Sequence, residues 1–81
     1  MTESASTLEP DLLSMITDEI TYGVPVDADT DLLLTELVDS LGVIRIVAWL
    51  EQRLGVEIDP GDVVIENFQS VRKMLDYVSA R

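Results

Sequence analysis

An all-α fold, a four-helix bundle of three longer helices and one short one, is what the sequence predicts, and three observations predict it. Apolar residues recur at steps of three and four in three separate windows, the spacing that lines one face of a helix. Start and stop signals bracket those windows: acids or serine before them, glycine or proline after them. The chain has 81 residues, enough for one small core and too few for two. Neither internal repeats nor low-complexity tracts interrupt it.

Residues 1 to 7 are small and polar and are expected to fray, leaving residues 8 to 81 as a single domain. Leu8, Leu12, Leu13, Ile16 and Ile20 then follow helical spacing. Pro10 is acceptable in a first turn, Glu9 and Asp11 suit the positive helix start, and Gly23 followed by Pro25 ends the run. The first helix is therefore placed at about residues 8 to 22. Residues 23 to 38 show no winning period, yet Val24, Val26, Leu32, Leu33, Leu34 and Leu37 are too apolar for a solvated linker. An ordered loop that lays its leucines across the bundle is expected. Asp27, Asp29 and Asp31 stand at the first, third and fifth positions of a calcium loop, but Leu32 occupies the glycine position and Val38 the place of the bidentate glutamate. No metal site is expected.

The second helix, about residues 40 to 53, carries a stripe of Leu41, Ile44, Val47, Ala48, Leu50 and Leu54 and stops at Gly55. Val43, Ile46 and Trp49 add apolar surface beyond that stripe, which a central helix with several neighbours explains for Ile46 and Trp49. Val43, one turn past Ser40, and Leu41 are the better interface candidates. Val56 and Ile58 should plug the end of the bundle. Asp59-Pro60 opens the short third helix, continued by Asp62, Val63 and Val64. Residues 65 to 68 read as a turn with Phe68 buried. Ser70 then caps the last helix, where Val71, Met74, Leu75 and Val78 share a face with Tyr77 at its edge.

Composition removes several function classes. Sixteen acids face five bases, for a net charge of -11, and the first 44 residues hold ten acids and no Lys or Arg. Such a field repels nucleic acid and anionic membrane and attracts basic protein surfaces. Cysteine and histidine are both absent. There is thus no disulfide, no thiolate metal site and no obvious base to activate a serine, so an enzyme built on a serine nucleophile is not expected. No run approaches the roughly 18 apolar residues of a membrane span, and the first seven residues lack the pattern of a signal peptide. A cytoplasmic protein is inferred.

The chemistry concentrates in Leu37-Val38-Asp39-Ser40-Leu41-Gly42. Ser40 falls on the first turn of the strongest predicted helix, where free backbone N–H groups and the helix dipole favour an anion such as a phosphate ester. Asp39 or Ser40 serving only as a helix cap is the plainer alternative. Asp39-Ser40-Leu41, the helix that follows, the acidity, and the later Glu66-Asn67-Phe68-Gln69-Ser70-Val71 together resemble a free-standing acyl or peptidyl carrier protein over roughly residues 8 to 80.

That resemblance implies that a phosphopantetheinyl transferase attaches 4′-phosphopantetheine from coenzyme A to Ser40. It further implies that the arm holds an acyl or aminoacyl group as a thioester, shuttled between enzymes that dock on the second helix and the preceding loop. Asp39 would assist the transferase, and Leu41 and Val43 would form an apolar docking patch. Many fatty-acid carriers read Asp-Leu-Gly-Xaa-Asp-Ser-Leu and place acids after the motif. Here Glu36-Leu37-Val38-Asp39-Ser40-Leu41 is one residue shorter, and Gly42 and Arg45 follow. Both departures look more like D-alanyl or peptidyl carriers, loaded by an AMP-forming ligase and unloaded by an acyltransferase or synthase. A monomer is expected of a shuttle. For an apolar cargo, a sheltering cavity near Val47, Leu50 and Val71 is expected between the second helix and the later ones. The alternative function is an acidic helical adaptor that takes a basic partner helix on Val43, Ile46 and Trp49.

Overall fold

A computed structural model describes residues 5–80; the first four positions of the segment expected to fray lie outside the described residues. Helix α1 spans Ala5–Met15 and passes directly into a π-helical turn, Ile16–Ile20. It begins three residues earlier than the sequence suggests, and Pro10 is inside it rather than in its first turn. Leu8, inside this helix, is buried. The other end stops at Ile20, short of residue 22. There the Thr21 amide donates to the Ile16 carbonyl at 2.9 Å, five residues back, which is the wider step of a π turn. The Thr21 hydroxyl, buried, donates to the Val24 carbonyl at 2.7 Å. Tyr22 and Gly23 then adopt φ of 52° and 95° and reverse the chain.

Helix α2 spans Ser40–Leu54. Its stop is Gly55, as expected, in the left-handed conformation at φ 66°, with its amide donating to the Glu51 carbonyl. Its buried face differs from the expected stripe. Gly42, Ile46 and Leu50 are buried, and Val43, Val47, Trp49 and Leu54 pack against the core. Leu41 and Ile44 are 66% and 62% exposed, and Ala48 is exposed as well. The rotation has a local cause. A Cβ on Gly42 would lie 2.8 Å from Val38 Cγ1 and 3.1 Å from Ile20 Cγ2. At position 42 the α2 backbone therefore lies tightly against the loop and the end of the first helix, and Ile46 and Leu50, at i+4 and i+8, are buried on the same face.

The expected single third helix is split. A 3-10 turn covers Pro60–Asp62, capped by Asp59 Oδ1, which accepts from the Gly61 amide at 2.8 Å. Helix α3, Ile65–Phe68, forms where a turn was expected. Between them Val63 and Val64 leave helical geometry, Val64 being fully extended at φ -130°, ψ 165°, the conformation β-branched residues favour. Phe68 is fully buried as expected. Helix α4, Val71–Ser79, starts at Ser70, whose hydroxyl accepts from the Lys73 amide. Val71, Met74 and Leu75 are buried. The Tyr77 ring meets Phe68 at a centroid distance of 5.9 Å, and its hydroxyl donates to Asp62 Oδ2 at 2.8 Å. No strand occurs among the described residues, and the all-α bundle is established.

The core runs along one line of contacts through α1, α2 and α4. Leu12, Ile16, Ile46, Leu50, Phe68, Val71 and Met74 show no exposure, and neither does Leu32, which the loop delivers among them. Ile58 plugs the bundle as expected, whereas Val56 is 37% exposed. Three arginines tie the second half of the chain to acids of the first. Arg53 meets Asp11 at 2.6 Å, Arg45 meets Glu19 at 3.3 Å, and Arg72 meets Asp29. All three pairs reach solvent, where water screens the attraction, so they fix position more than stability.

The loop before α2 is ordered by its acids. Asp27 Oδ1 accepts from the Asp29 amide and the Thr30 hydroxyl. Asp31 Oδ1 accepts from the Leu33 and Leu34 amides, and Asp31 Oδ2 from Gln69 Nε2. The Arg72 amide donates to the Ala28 carbonyl at 2.9 Å, latching the loop to the start of α4. Its leucines do not all turn inward: Leu32 is buried, Leu33 packs on the core and Leu34 is 66% exposed.

Two outcomes follow from these contacts. Gly42→Ala gains about 1 kcal/mol of helix propensity but overpacks the stiff, buried Val38 at a cost of about 1–3 kcal/mol. The variant should unfold at lower urea and lower temperature than the parent. Hydrogen bonds from Gln69 and from the Leu33 and Leu34 amides hold the Asp31 carboxyl below its ordinary value of 3.8. A carboxyl lowered on folding contributes stability that is complete above its unfolded value and disappears as the pH falls through the folded one. Urea melts of the parent and of Asp31→Asn should therefore differ most near neutral pH and converge below the ordinary carboxylate range. Relief of the overall negative charge on acidification acts nearly equally on both chains and leaves that difference intact.

Candidate functional site

Ser40 is the first residue of α2, and the residues on either side explain how it comes to be exposed. Asp39 is the cap, extended at φ -91°, ψ -177°, and its Oδ1 accepts from the Gly42 amide at 2.9 Å. The Asp39 carbonyl takes the Val43 amide at 3.0 Å. Of the first-turn donors, Ser40 and Leu41 N–H have no intrahelical acceptor by their position. The cap role thus belongs to Asp39, which frees the Ser40 side chain to stand in solvent.

Upstream, two buried anchors clamp a short excursion. Leu32 and Val38 are 0% and 3% exposed, the Leu32 amide donates to the Gln69 carbonyl at 2.8 Å, and the Val38 amide donates to the Leu32 carbonyl at 2.9 Å. Residues 33–37 loop out between them, with Glu36 in the left-handed region at φ 61°. A non-glycine residue there costs of order 1 kcal/mol and persists because its surroundings determine it. The clamp delivers Asp39 and Ser40 at a defined point on the surface.

Beside Ser40 opens a cleft of about 1060 Å³ whose lining includes Ser40, Val38, Val43, Val63, Ile65 and Phe68. It lies between α2 and the Val63 to Phe68 segment, where Val63 and Val64 leave helical geometry. The cleft lies between the second helix and later elements, as a sheltering cavity was expected to, but its lining is nearer the start of α2 than Val47, Leu50 and Val71, of which Leu50 and Val71 are fully buried in the core. Asp39 and Glu36 form the ridge between this cleft and a second depression of about 170 Å³, bordered by Tyr22, Leu37, Leu41 and Arg45.

The candidate residues therefore sort clearly. Ser40 is exposed, Leu41 projects from the surface, and Asp39 lies between the two depressions while its carboxylate holds the helix start. Val43 faces inward, packing on the core and lining the cleft, because Gly42 rotates it there. The adaptor groove on Val43, Ile46 and Trp49 is contradicted, since Ile46 is fully buried and Trp49 packs against the core beneath Arg53 at 5.3 Å. Sequence reasoning missed Ile44 and Tyr22 beside the site. Ile44 was disguised by fitting the apolar stripe, and Tyr22 gave no periodic signal at all.

The site thus consists of an exposed serine at a helix start beside a roomy cleft. The chain belongs to the family described as the phosphopantetheine attachment site, whose model matches residues 11–78. Members of that family carry covalently bound 4′-phosphopantetheine. One chain of a structure described as the crystal structure of FAD-dependent dehydrogenase is similar, at 24% identity and a TM-score of 0.76 over 84% of this chain and 99% of that one. That likeness concerns the fold. No curated protein matches the chain.

Removing the cap separates holding the helix start from presenting the serine. Asp39→Ala should cost about 0.5–2 kcal/mol of stability, read from urea unfolding, while amide exchange at Gly42 accelerates more than at Leu50.

Proposed function

We propose that the chain is an acyl or aminoacyl carrier, with 4′-phosphopantetheine esterified to Ser40. The observation that carries this proposal is the exposed Ser40 hydroxyl at the first position of α2, inside the segment that matches the family. In the loading reaction the Ser40 oxygen bonds to the phosphorus that bears pantetheine in coenzyme A. The pyrophosphate P–O bond breaks, adenosine 3′,5′-bisphosphate leaves, and the serine proton passes to a base of the transferase, since this chain has no histidine or thiol to take it. When bound, the group supplies a thiol on a long tether, able to hold cargo as a thioester.

The residues present fit such a group. A phosphodiester on Ser40 gains about 0.3–1 kcal/mol from the helix start, and a neighbouring exposed carboxylate such as Asp39 opposes it by about 1 kcal/mol in water. These contributions nearly cancel. The phosphate is thus neither clamped nor expelled, which suits an arm that must swing. The cleft beside Ser40 offers apolar walls for the arm or an apolar cargo.

The chain acts as a carrier and not as an enzyme, working as a monomer in the cytoplasm. No helix among the described residues is long and apolar enough to cross a membrane. Its partners are a phosphopantetheinyl transferase, an AMP-forming acyl or aminoacyl ligase, and a downstream acyltransferase or synthase. They dock at Asp39 and Leu41 and, by exposure, at Leu34 and Ile44. Val43 contributes from the cleft wall. Arg45, where an acid would serve a fatty-acid system, supports the aminoacyl side of this proposal.

Incubated with coenzyme A, magnesium and a broad-specificity phosphopantetheinyl transferase, the folded protein should gain about 340 Da by intact mass, and Ser40→Ala should gain nothing. A parent chain that stays unmodified under conditions where a control carrier is converted would defeat the proposal.

A further inference from the structure

Tyr22 is out of place by ordinary folding criteria. Its ring is 83% exposed, the highest value among the exposed large apolar side chains, and its backbone is in the left-handed region at φ 52°, an outlier for a bulky residue. The conformation is held from both sides. The Thr21 hydroxyl donates to the Val24 carbonyl at 2.7 Å, and the Gly23 amide donates to the Thr17 carbonyl at 2.6 Å. The π turn at the end of the first helix thus fixes the point from which an aromatic ring stands out in water.

What lies beside it gives the position a use. Tyr22 borders the small depression of about 170 Å³ together with Leu37 and Leu41, and Asp39 and Glu36 form the ridge that separates it from the cleft beside Ser40. The cation bordering the depression, Arg45, is occupied: it donates to the Glu19 carbonyl at 3.0 Å and meets the Glu19 carboxylate at 3.3 Å. The uncompensated charge at this rim is therefore negative, from Glu36 and Asp39. The surface combines an aromatic ring, two leucines and two carboxylates, and the carboxylates also line the cleft that Ser40 borders.

We infer that Tyr22 is a specificity-determining anchor for the transferase that modifies Ser40, an assignment that rests on the proposed attachment at that residue. Any enzyme that delivers phosphopantetheine from coenzyme A holds a pyrophosphate and a 3′-phosphate beside its reacting centre. Its surface there must be cationic, which complements the Glu36 and Asp39 ridge. Such an enzyme covers Ser40 from both sides of the ridge. On one side the cleft is free to receive the arm; on the other, an apolar side chain of the enzyme enters the depression against the Tyr22 ring, and its basic neighbours face the carboxylates. Exposed tyrosines next to small pockets are the residue type that carries binding energy in protein interfaces.

The test uses binding and modification as separate readouts. In a Ser40→Ala background, where no transfer can occur, affinity for a broad-specificity phosphopantetheinyl transferase holding coenzyme A is measured for the parent, Tyr22→Phe and Tyr22→Asn. Asparagine tolerates the left-handed backbone, so the ring is removed without forcing a refold, and melting temperature checks this. Affinity should fall about tenfold for Tyr22→Asn and stay near the parent value for Tyr22→Phe. With Ser40 intact, the KM for transfer should rise by a similar factor while kcat is unchanged, and Glu36→Gln should flatten the salt dependence of binding. Equal affinity for Tyr22→Asn and the parent, or no measurable binding by the parent, would overturn the inference. A parent chain that binds through Tyr22 yet gains no mass would count against attachment at Ser40 and not against the anchor.

Discussion

Everything about the site depends on one close contact, the α2 backbone at Gly42 lying against Val38 and Ile20. With a Cβ distance of only 2.8 Å to Val38, no other residue type fits without displacement of a buried, β-branched neighbour. That contact sets the rotation of the helix about its axis. Ile46 and Leu50 follow Gly42 into the core, and Leu41 and Ile44 are carried out to the surface. Had the helix turned by a third of a revolution, Val43 would have faced solvent and Leu41 the core, and the surroundings of Ser40 would be different in kind. Gly42 therefore explains a departure from the fatty-acid carrier pattern that looks, in sequence, like the loss of a docking acid.

The acidic character of the chain has a more structural meaning than its net charge suggests. Asp27, Asp31, Asp39 and Asp59 each accept backbone amides at turns or helix starts, and Asp11, Glu19 and Asp29 each meet an arginine of the second half. Spacing alone made the first acids of the loop look like an incomplete calcium loop. In place, they turn the loop and latch it to the start of α4, so that the two buried anchors, Leu32 and Val38, can hold the excursion beside Ser40. The charge left over at the site, on Glu36 and Asp39, is the part available to a partner.

Helix boundaries set by local chemistry were legible. Gly55 after α2, Ser70 before α4 and the Asp59-Pro60 start were each identified from residue type alone, because a cap needs only its own neighbours, whereas the choice between Asp39 and Ser40 as the α2 cap was left to the structure. Those set by packing were not. The first helix begins three residues early, and it ends in a π turn held by Thr21. The expected third helix breaks at Val63 and Val64, which line the cleft. No local signal distinguishes these outcomes from the regular ones expected.

By itself the sequence determined the all-α class and the approximate positions of the three longer helices, and it singled out Ser40 as the candidate, since periodicity, caps and one short motif are properties of adjacent residues. Only the tertiary structure decided which side of α2 is buried, where the cleft opens, and that Tyr22 stands exposed beside the site. Those depend on contacts between residues some twenty or more positions apart, such as Gly42 on Ile20 and Gln69 with Asp31. A helix whose apolar residues cover most of its circumference carries no information about its own rotation until a neighbour presses against it.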